Sequence, residues 1–334
     1  MVQRDISYYF SRLIAIDLGS TNTTIYNLRR GKIKKVPTLI ALDRVSKTVE
    51  AVGDKAKEML GRAPARYHII APVRNGAIAN FDAACKLLKQ ILWQDQAIKR
   101  WPSIVAVNIP YGSSQVEKQA VKEAVRSTGS KEIHLVESPL AAMMGIELPY
   151  NPLQGSMIVD LGGGTTEIAV IALGGIVLGS SLKKGGEELD QSLQSYFRKK
   201  YLLNIGQRVA EKIKLNSAYL LHPPERKIKV AGIFLESRLP GHLEIKISEL
   251  QEVWQSHFND LALEIQKVFE RTPPELVSDI VKQGIFLAGG GALMRSLGEY
   301  LQQRTSLPVK IPEHPADCTV KGLAKVLMSK DGKN

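Results

Sequence analysis

Two short segments carry carboxylate, glycine and hydroxyl residues at matching spacing. Asp17-Leu18-Gly19-Ser20-Thr21-Asn22-Thr23 follows one apolar run, and Asp160-Leu161-Gly162-Gly163-Gly164-Thr165-Thr166 follows another. A polyphosphate needs backbone N–H groups and hydroxyls aimed at its oxygens, with a carboxylate near the metal that neutralises it. Glycine permits the tight turn and lets bare backbone approach an anion. One such turn is weak evidence because glycine hairpins are common; two at equivalent places are strong evidence.

The equivalence is an internal repeat. Residues 14–33 (IAIDLGSTNTTIYNLRRGKI) and 157–176 (MIVDLGGGTTEIAVIALGGI) align without a gap at a shift of 143 positions. Asp17, Leu18, Gly19, Thr23 and Ile25 meet Asp160, Leu161, Gly162, Thr166 and Ile168, and Gly31 and Ile33 meet Gly174 and Ile176. Each copy reads as strand, turn, strand and turn, so a duplicated domain is expected.

The elements that must position these turns follow from periodicity. Helices are expected over 82–93, 114–127, 187–200 and 248–270, with strands over 104–109, 133–136 and 285–288. This alternation predicts two α/β domains around mixed sheets. Residues 38–70 and 182–246 read as insertions. The stretch 183–246 holds 13 Lys or Arg against 7 Asp or Glu, which a solvated face explains.

Two further clusters have chemical potential. The strand ending at Ala288 runs into Gly289, Gly290 and Gly291, and a helix is expected from about Ala292. A glycine corner there lets a ligand meet bare backbone, although Met294 breaks any dinucleotide fingerprint. Glu211 and Lys214 stand three apart on an expected helix, a spacing that suits either a grip on a ribose or purine edge or a surface ion pair. The six histidines show no ligand spacing, so no structural metal is assigned.

The chain has 334 residues, 44% hydrophobic and 23% charged, enough for about two globular domains and too apolar for wholesale disorder. A net charge of +12 favours an anionic partner: nucleic acid, a membrane surface or a phosphate-rich ligand. Cys85 and Cys318, the two cysteines, form no metal clip, and a reducing cytoplasmic setting is expected. The best apolar stretch, 168–179, is too short to span a bilayer. Trp93, and Trp101 beside Arg100, suit a membrane interface where the ring inserts and the cation stays wet. Val2, Ile6, Tyr9 and Leu13 at near-helical spacing, with Arg4 and Arg12 alongside, extend that expected surface.

In this order, DLGSTNT, DLGGGTTE, the helix with Glu211 and Lys214, and AGGGA resemble the actin, Hsp70 and sugar-kinase superfamily. Within it, VGDKAKEMLGRAP at 52–64, RNGAIANF at 74–81 and TPPELVSDIVKQGIFLAGGGALMRSL at 272–297 resemble MreB, the bacterial actin homologue. The resemblance covers about residues 14–327. It implies an α/β, actin-like fold: duplicated RNase H-like α/β domains, two smaller inserted subdomains and a central nucleotide cleft. Domain I would comprise 1–147 and 315–334 with the insert 38–70, and domain II would comprise 148–314 with the insert 182–246.

The same resemblance implies ATP and Mg²⁺ in the cleft. Asp17 with Gly19, Ser20, Thr21 and Asn22 matches the first phosphate loop, and Asp160 with Gly162, Gly163, Gly164, Thr165 and Thr166 matches the second. Both aspartates would hold Mg²⁺ through water, and Glu211, Lys214, Gly289, Gly290 and Gly291 would take the adenosine side. Also implied are head-to-tail filaments in paired protofilaments, peripheral on the cytoplasmic face of the anionic inner membrane. These would work with the cell-wall elongation machinery, and with a sister MreB, to set rod shape. The basic charge would then meet lipid rather than nucleic acid.

Departures from the family pattern qualify this. Ser138 stands before Pro139 where such proteins usually carry glutamate, and Asn75, Asn80 and Asn216 replace usual acids. A diverged paralogue with slow or absent ATP hydrolysis is expected, Ser138 serving as a helix N-cap. Glu137, Thr165 and Thr166 remain the candidates for holding an attacking water. Alternative readings are a specialised filament with little ATPase activity in positioning or scaffolding, and a sugar-kinase-type phosphotransferase, for which no second-substrate motif is visible. A chaperone ATPase is disfavoured, since no peptide-binding domain follows the nucleotide fold.

Overall fold

The computed structural model describes residues 12–93 and 103–330. The first half opens with a meander of β1 (Arg12–Leu18), β2 (Asn22–Asn27) and β3 (Lys32–Pro37). A small unit follows, built from β4 (Ile40–Asp43), β5 (Val49–Val52), α1 (Asp54–Met59) and β6 (Tyr67–Ile70). The hairpin β7 (Val73–Arg74) and β8 (Ala77–Ile78) leads into α2 (Phe81–Trp93), β9 (Ser103–Ile109) and α3 (Gln115–Arg126). Strand β10 (Glu132–Glu137) and helix α4 (Ser138–Gly145) complete this half.

The second half starts with the meander β11 (Ser156–Leu161), β12 (Thr166–Ala172) and β13 (Gly175–Leu182). Next come α5 (Gly186–Tyr201), β14 (Leu203–Asn204), α6 (Gln207–Ser217), β15 (Lys227–Phe234) and β16 (Pro240–Lys246). The chain closes through α7 (Gln251–Glu270), α8 (Pro274–Gln283), β17 (Ile285–Ala288), α9 (Leu297–Thr305), β18 (Val309–Lys310) and α10 (Cys318–Lys330).

The repeat in the sequence is a repeat of sheet topology. The two five-stranded sheets have orders β3-β2-β1-β9-β10 and β13-β12-β11-β17-β18. Strand β1 lies antiparallel to β2 and parallel to β9, as β11 lies antiparallel to β12 and parallel to β17. Even the register repeats, with Asp17 opposite Thr24 and Asp160 opposite Glu167. Strands covered on both faces read as continuous apolar runs. Ile14, Ala15 and Ile16, like Met157, Ile158 and Val159, are fully buried, so each aspartate sits at the carboxyl end of a strand that burial fixes rigidly.

Local rules explain the flanking helices. Helix α2 buries Leu87, Leu88, Ile91 and Leu92 on one stripe. Helix α3 starts with a capping box in which Ser114 accepts the Glu117 amide and Glu117 accepts the Ser114 amide. The last helix, α10, returns to the first sheet, where Val320, Leu323 and Leu327 pack with Ala15, Ile104 and Ala106. It crosses α4 backbone to backbone: a Cβ on Gly322 would lie 1.7 Å from the Ala141 carbonyl oxygen. This crossing ties the end of the chain to the helix that leaves the first sheet.

Several expectations need correction. The glycine corner after β17 does not open a helix near Ala292; one 3₁₀ turn, Gly290–Leu293, intervenes and α9 begins at Leu297. A 3₁₀ turn, Ile247–Leu250, likewise precedes α7. Arg12 and Leu13 belong to β1, and Leu13 packs against the cluster beneath α10, because strand pairing overrides the helical spacing. Val2, Arg4, Ile6, Tyr9, Arg100 and Trp101 lie outside the described residues. Trp93 ends α2, is 41% exposed, and donates its indole N–H to the Thr128 carbonyl at 3.4 Å. No helix among the described residues is long and apolar enough to cross a membrane.

Candidate functional site

The two aspartate turns face each other across a cleft of about 480 Å³, a volume typical of small-molecule sites. Each turn is closed by the same bond: the Gly19 amide donates to Asn22 at 3.1 Å, and the Gly162 amide donates to Thr165 at 2.9 Å. Among the described residues, the backbone amides of Ser20, Thr21, Gly163 and Gly164 have no protein acceptor. Gly164 is buried, and a buried N–H without a partner calls for a ligand. The helix N-terminus of α5 is already occupied, since the Gly186 and Glu187 amides donate to the Gly162 and Gly163 carbonyls.

The turns touch. A Cβ on Gly163 would fall 1.9 Å from Thr21 Oγ1, and one on Gly164 would fall 2.3 Å from Ser20 Oγ. Thr21 Oγ1 donates to Glu187 Oε1 at 2.7 Å, a bond from one half of the molecule to the other. Ser20 Oγ accepts the Gly76 amide at 3.1 Å. Gly289, at φ +81°, brings bare backbone against Asp160; a Cβ there would lie 2.6 Å from Asp160 Oδ1. Thr166 is buried, its hydroxyl already donating to the Lys184 carbonyl at 2.7 Å.

Burial dominates the electrostatics. It pushes Asp17 up to about 7, an effect that Lys35 and a hydrogen bond from Asn108 oppose. Asp160 is pushed up to about 8 by burial and then by repulsion from Asp17 and Glu167. Thr319 Oγ1 donates to Asp160 Oδ2 at 3.3 Å. Two desolvated acids that repel each other form an incomplete charge set. A hard divalent cation that keeps its waters and takes its remaining ligands from phosphates fits this donor set. No group of three or more potential metal-ligating residues occurs among the described residues, so a closed protein cage is not what this site offers.

The adenosine-side candidates are committed differently from the expectation. Glu211 and Lys214 both line the cleft but do not pair with each other. Lys214 Nζ donates to the Gly186 carbonyl at 2.6 Å and to Asp190 Oδ2 at 2.8 Å. Glu211 Oε1 accepts from Lys57 Nζ at 2.8 Å, again across the two halves. Gly289, Gly290 and Gly291 line the cleft with Met294 and Arg295.

Ser138 is placed by α4 at the cleft wall but is not its N-cap. Glu137 holds that position without a side-chain cap bond, and Pro139 follows in the first turn. The buried Ser138 hydroxyl donates to the Ile109 carbonyl and accepts from Asn108 Nδ2, both at 3.1 Å. Glu137 is near enough to Glu167 to repel it, whereas Thr165 lines the cleft directly.

Sequence reasoning missed several cleft residues. Asn108 is the one with a signal, a lone amide at the carboxyl end of the apolar run 104–109, where α/β sheets hold ligands. Glu167 closes the DLGGGTTE motif but was not among the expected site residues; Lys35, His257 and Thr319 carried no signal, because strand pairing, α7 and the returning α10 bring them in. His257 is partly buried there and held down to about 4, chiefly by desolvation.

Two sheets of one topology, with aspartate turns opposed over the cleft between them, define an actin-like protein. The chain belongs to the MreB/Mbl family: the family model described as MreB/Mbl protein matches residues 11–333. It is 39% identical over 328 residues to the cell shape-determining protein MreB of Escherichia coli strain K12, covering 95% of this chain and 94% of that protein. The solved structure of MreB 5 of Spiroplasma citri bound to AMPPNP superposes with a TM-score of 0.91 at 31% identity, covering 97% of this chain and 98% of that one. A MamK double helical filament shares the fold, with a TM-score of 0.82 at 20% identity over 95% of this chain and 99% of that one.

Proposed function

We propose that this chain is an ATP-binding, actin-like filament protein that acts in cell shape. The observation that carries the reading is the pair of opposed aspartate turns with unpartnered amides around a desolvated, repelling acid pair. Gly19, Ser20, Thr21 and Asn22 cradle the phosphates from one side; Gly162, Gly163, Gly164 and Thr165 do so from the other. Asp17 and Asp160 orient Mg²⁺ through its waters, and the ion supplies neutralisation of phosphate charge. Glu211, Lys214, Gly289, Gly290 and Gly291 flank the adenosine. The AMPPNP bound by the Spiroplasma citri protein and the cell-shape role named for the Escherichia coli relative support this reading.

The division into domain I (1–147 and 315–334, insert 38–70) and domain II (148–314, insert 182–246) belongs to the same proposal. It is supported by the packing of α10 on the first sheet and by the separate sheets β5-β4-β6 and β14-β15-β16. The two small units meet through the Lys57–Glu211 ion pair, and head-to-tail stacking through them gives a contact that does not close and grows a filament. The double helical filament of MamK is in keeping with such assembly. Paired protofilaments, a peripheral place on the inner membrane through Arg100, Trp101 and Trp93, and work with the cell-wall elongation machinery and a sister MreB complete the reading. Ser138 favours the variant in which the filament turns over ATP slowly and serves positioning or scaffolding.

Sedimentation and electron microscopy of the full chain with Mg·ATP test this. Ordered polymers are expected; a monomer at every concentration would overturn assembly, and absence of nucleotide binding would overturn the site.

A further inference from the structure

We propose that the open groove between α1, α6 and β15, which adjoins the nucleotide cleft and shares Glu211 and Leu215 with it, is a second anion site that takes a chain of phosphate groups. The groove measures about 920 Å³ and is lined by Arg62, Arg208, Lys212, Arg226, Lys227 and Lys229. Among the described residues none of these six is in an ion pair, and Arg226 donates only to the Asn216 carbonyl at 3.3 Å. The carboxylate that lines the groove, Glu211, is neutralised by Lys57 at 2.8 Å. Lys229 stands opposite Glu244 across β15–β16; the other five face the groove with no ion-pair partner among the described residues.

The arrangement costs stability in the free protein. Lys227 lies directly opposite Lys246 in the β15–β16 register, and like charges facing across an antiparallel pair repel. An anion seated over β15 relieves that repulsion, and alternation puts Lys227 and Lys229 on the same face of the strand. Guanidinium forks beside ammonium point charges suit phosphate oxygens.

The remaining lining narrows the occupant. No aromatic ring lines the groove, so the stacking platform that holds single-stranded nucleic acid is missing. Its seven cations outnumber its five aliphatic side chains, leaving few anchor pockets for an acidic peptide. Its concave form admits a linear chain of phosphates more readily than a flat bilayer.

Calorimetry with inorganic tripolyphosphate, on the full chain held below its assembly concentration (verified by sedimentation) with the cleft filled by saturating Mg·AMPPNP, tests the site. Binding is expected, weakening with salt, and the double variant Lys227→Glu, Lys229→Glu should lose it by about tenfold or more. The charge-matched variant Lys267→Glu, Lys282→Glu, on α7 and α8, should retain it. Thermal melting and AMPPNP affinity verify that each variant is folded. No binding with the cleft filled, or equal loss in both variants, would overturn the proposal. So would Lys227- and Lys229-dependent binding of polyglutamate, single-stranded DNA or anionic phosphatidylglycerol vesicles with none of tripolyphosphate.

Discussion

Asn108 holds Asp17 in place: its Nδ2 donates to Asp17 Oδ1 at 2.9 Å while its Oδ1 accepts the Leu18 amide at 2.7 Å. A single amide at the end of β9 thus fixes both the first carboxylate and the start of the first turn. The same Nδ2 reaches Ser138 Oγ at 3.1 Å, so the end of β9 links Asp17 to the start of α4.

Replacing Asn108 by Ala strands the Leu18 amide and frees Asp17 to rotate. A stability loss of about 1–3 kcal/mol is expected from the unpaired groups, with weaker Mg·AMPPNP binding. Loss of the bond also removes an influence that lowers the Asp17 pKa, so the binding defect should shrink as pH is raised from 7 to 8.5. Calorimetry at both pH values checks this; a defect independent of pH would point to packing alone.

Asp17 at about 7 and Asp160 at about 8 stand well above the ~3.9 of an unfolded aspartate. From about pH 4 up to these values the native state holds protons that the unfolded chain has released, so the ligand-free protein loses stability as pH rises toward 7 and 8, and the loss levels off above them. The expected loss from pH 6.5 to 8.0 is on the order of 2 kcal/mol. His257 at about 4 and Asp190 at about 6 change mostly below this window. Melting with EDTA should show the decline and melting with Mg·AMPPNP should abolish it; equal slopes in both would mean that the acids do not meet the metal.

Gly163→Ala places a methyl group 1.9 Å from Thr21 Oγ1 and must push the two turns apart. Nucleotide affinity should fall by about tenfold or more, a 1.4 kcal/mol effect, while far-ultraviolet circular dichroism stays unchanged. The second change Thr21→Gly removes the clashing side chain and should recover part of the affinity. Failure of the double variant to improve on the single one would show that the contact is not what glycine protects.

Phosphate release with ATP should be low in the wild type and rise in Ser138→Glu. Serine carries no charge, and its hydroxyl is already engaged by Ile109 and Asn108, so it orients a water poorly. Brisk wild-type release that Glu137→Ala abolishes would transfer the role to Glu137.

The sequence by itself determined the duplication, the two aspartate turns and the central strands. Those features are local: a fully buried strand must be an apolar run, and a turn against an anion must carry glycine and hydroxyls. The positions of helices α2, α3, α5 and α7 were legible for the same reason, since one apolar stripe at helical period specifies each. Only the tertiary structure decided how separate segments meet. It turned the Ser138 hydroxyl to β9 instead of to its own helix. It sent Glu211 to Lys57 and Lys214 to Asp190, partners 154 and 24 positions away. It brought Asn108, His257 and Thr319 into one cleft. A side chain's partner is set by which strands lie adjacent and how helices cross. Those contacts join residues far apart in the chain, and no local period or spacing encodes them.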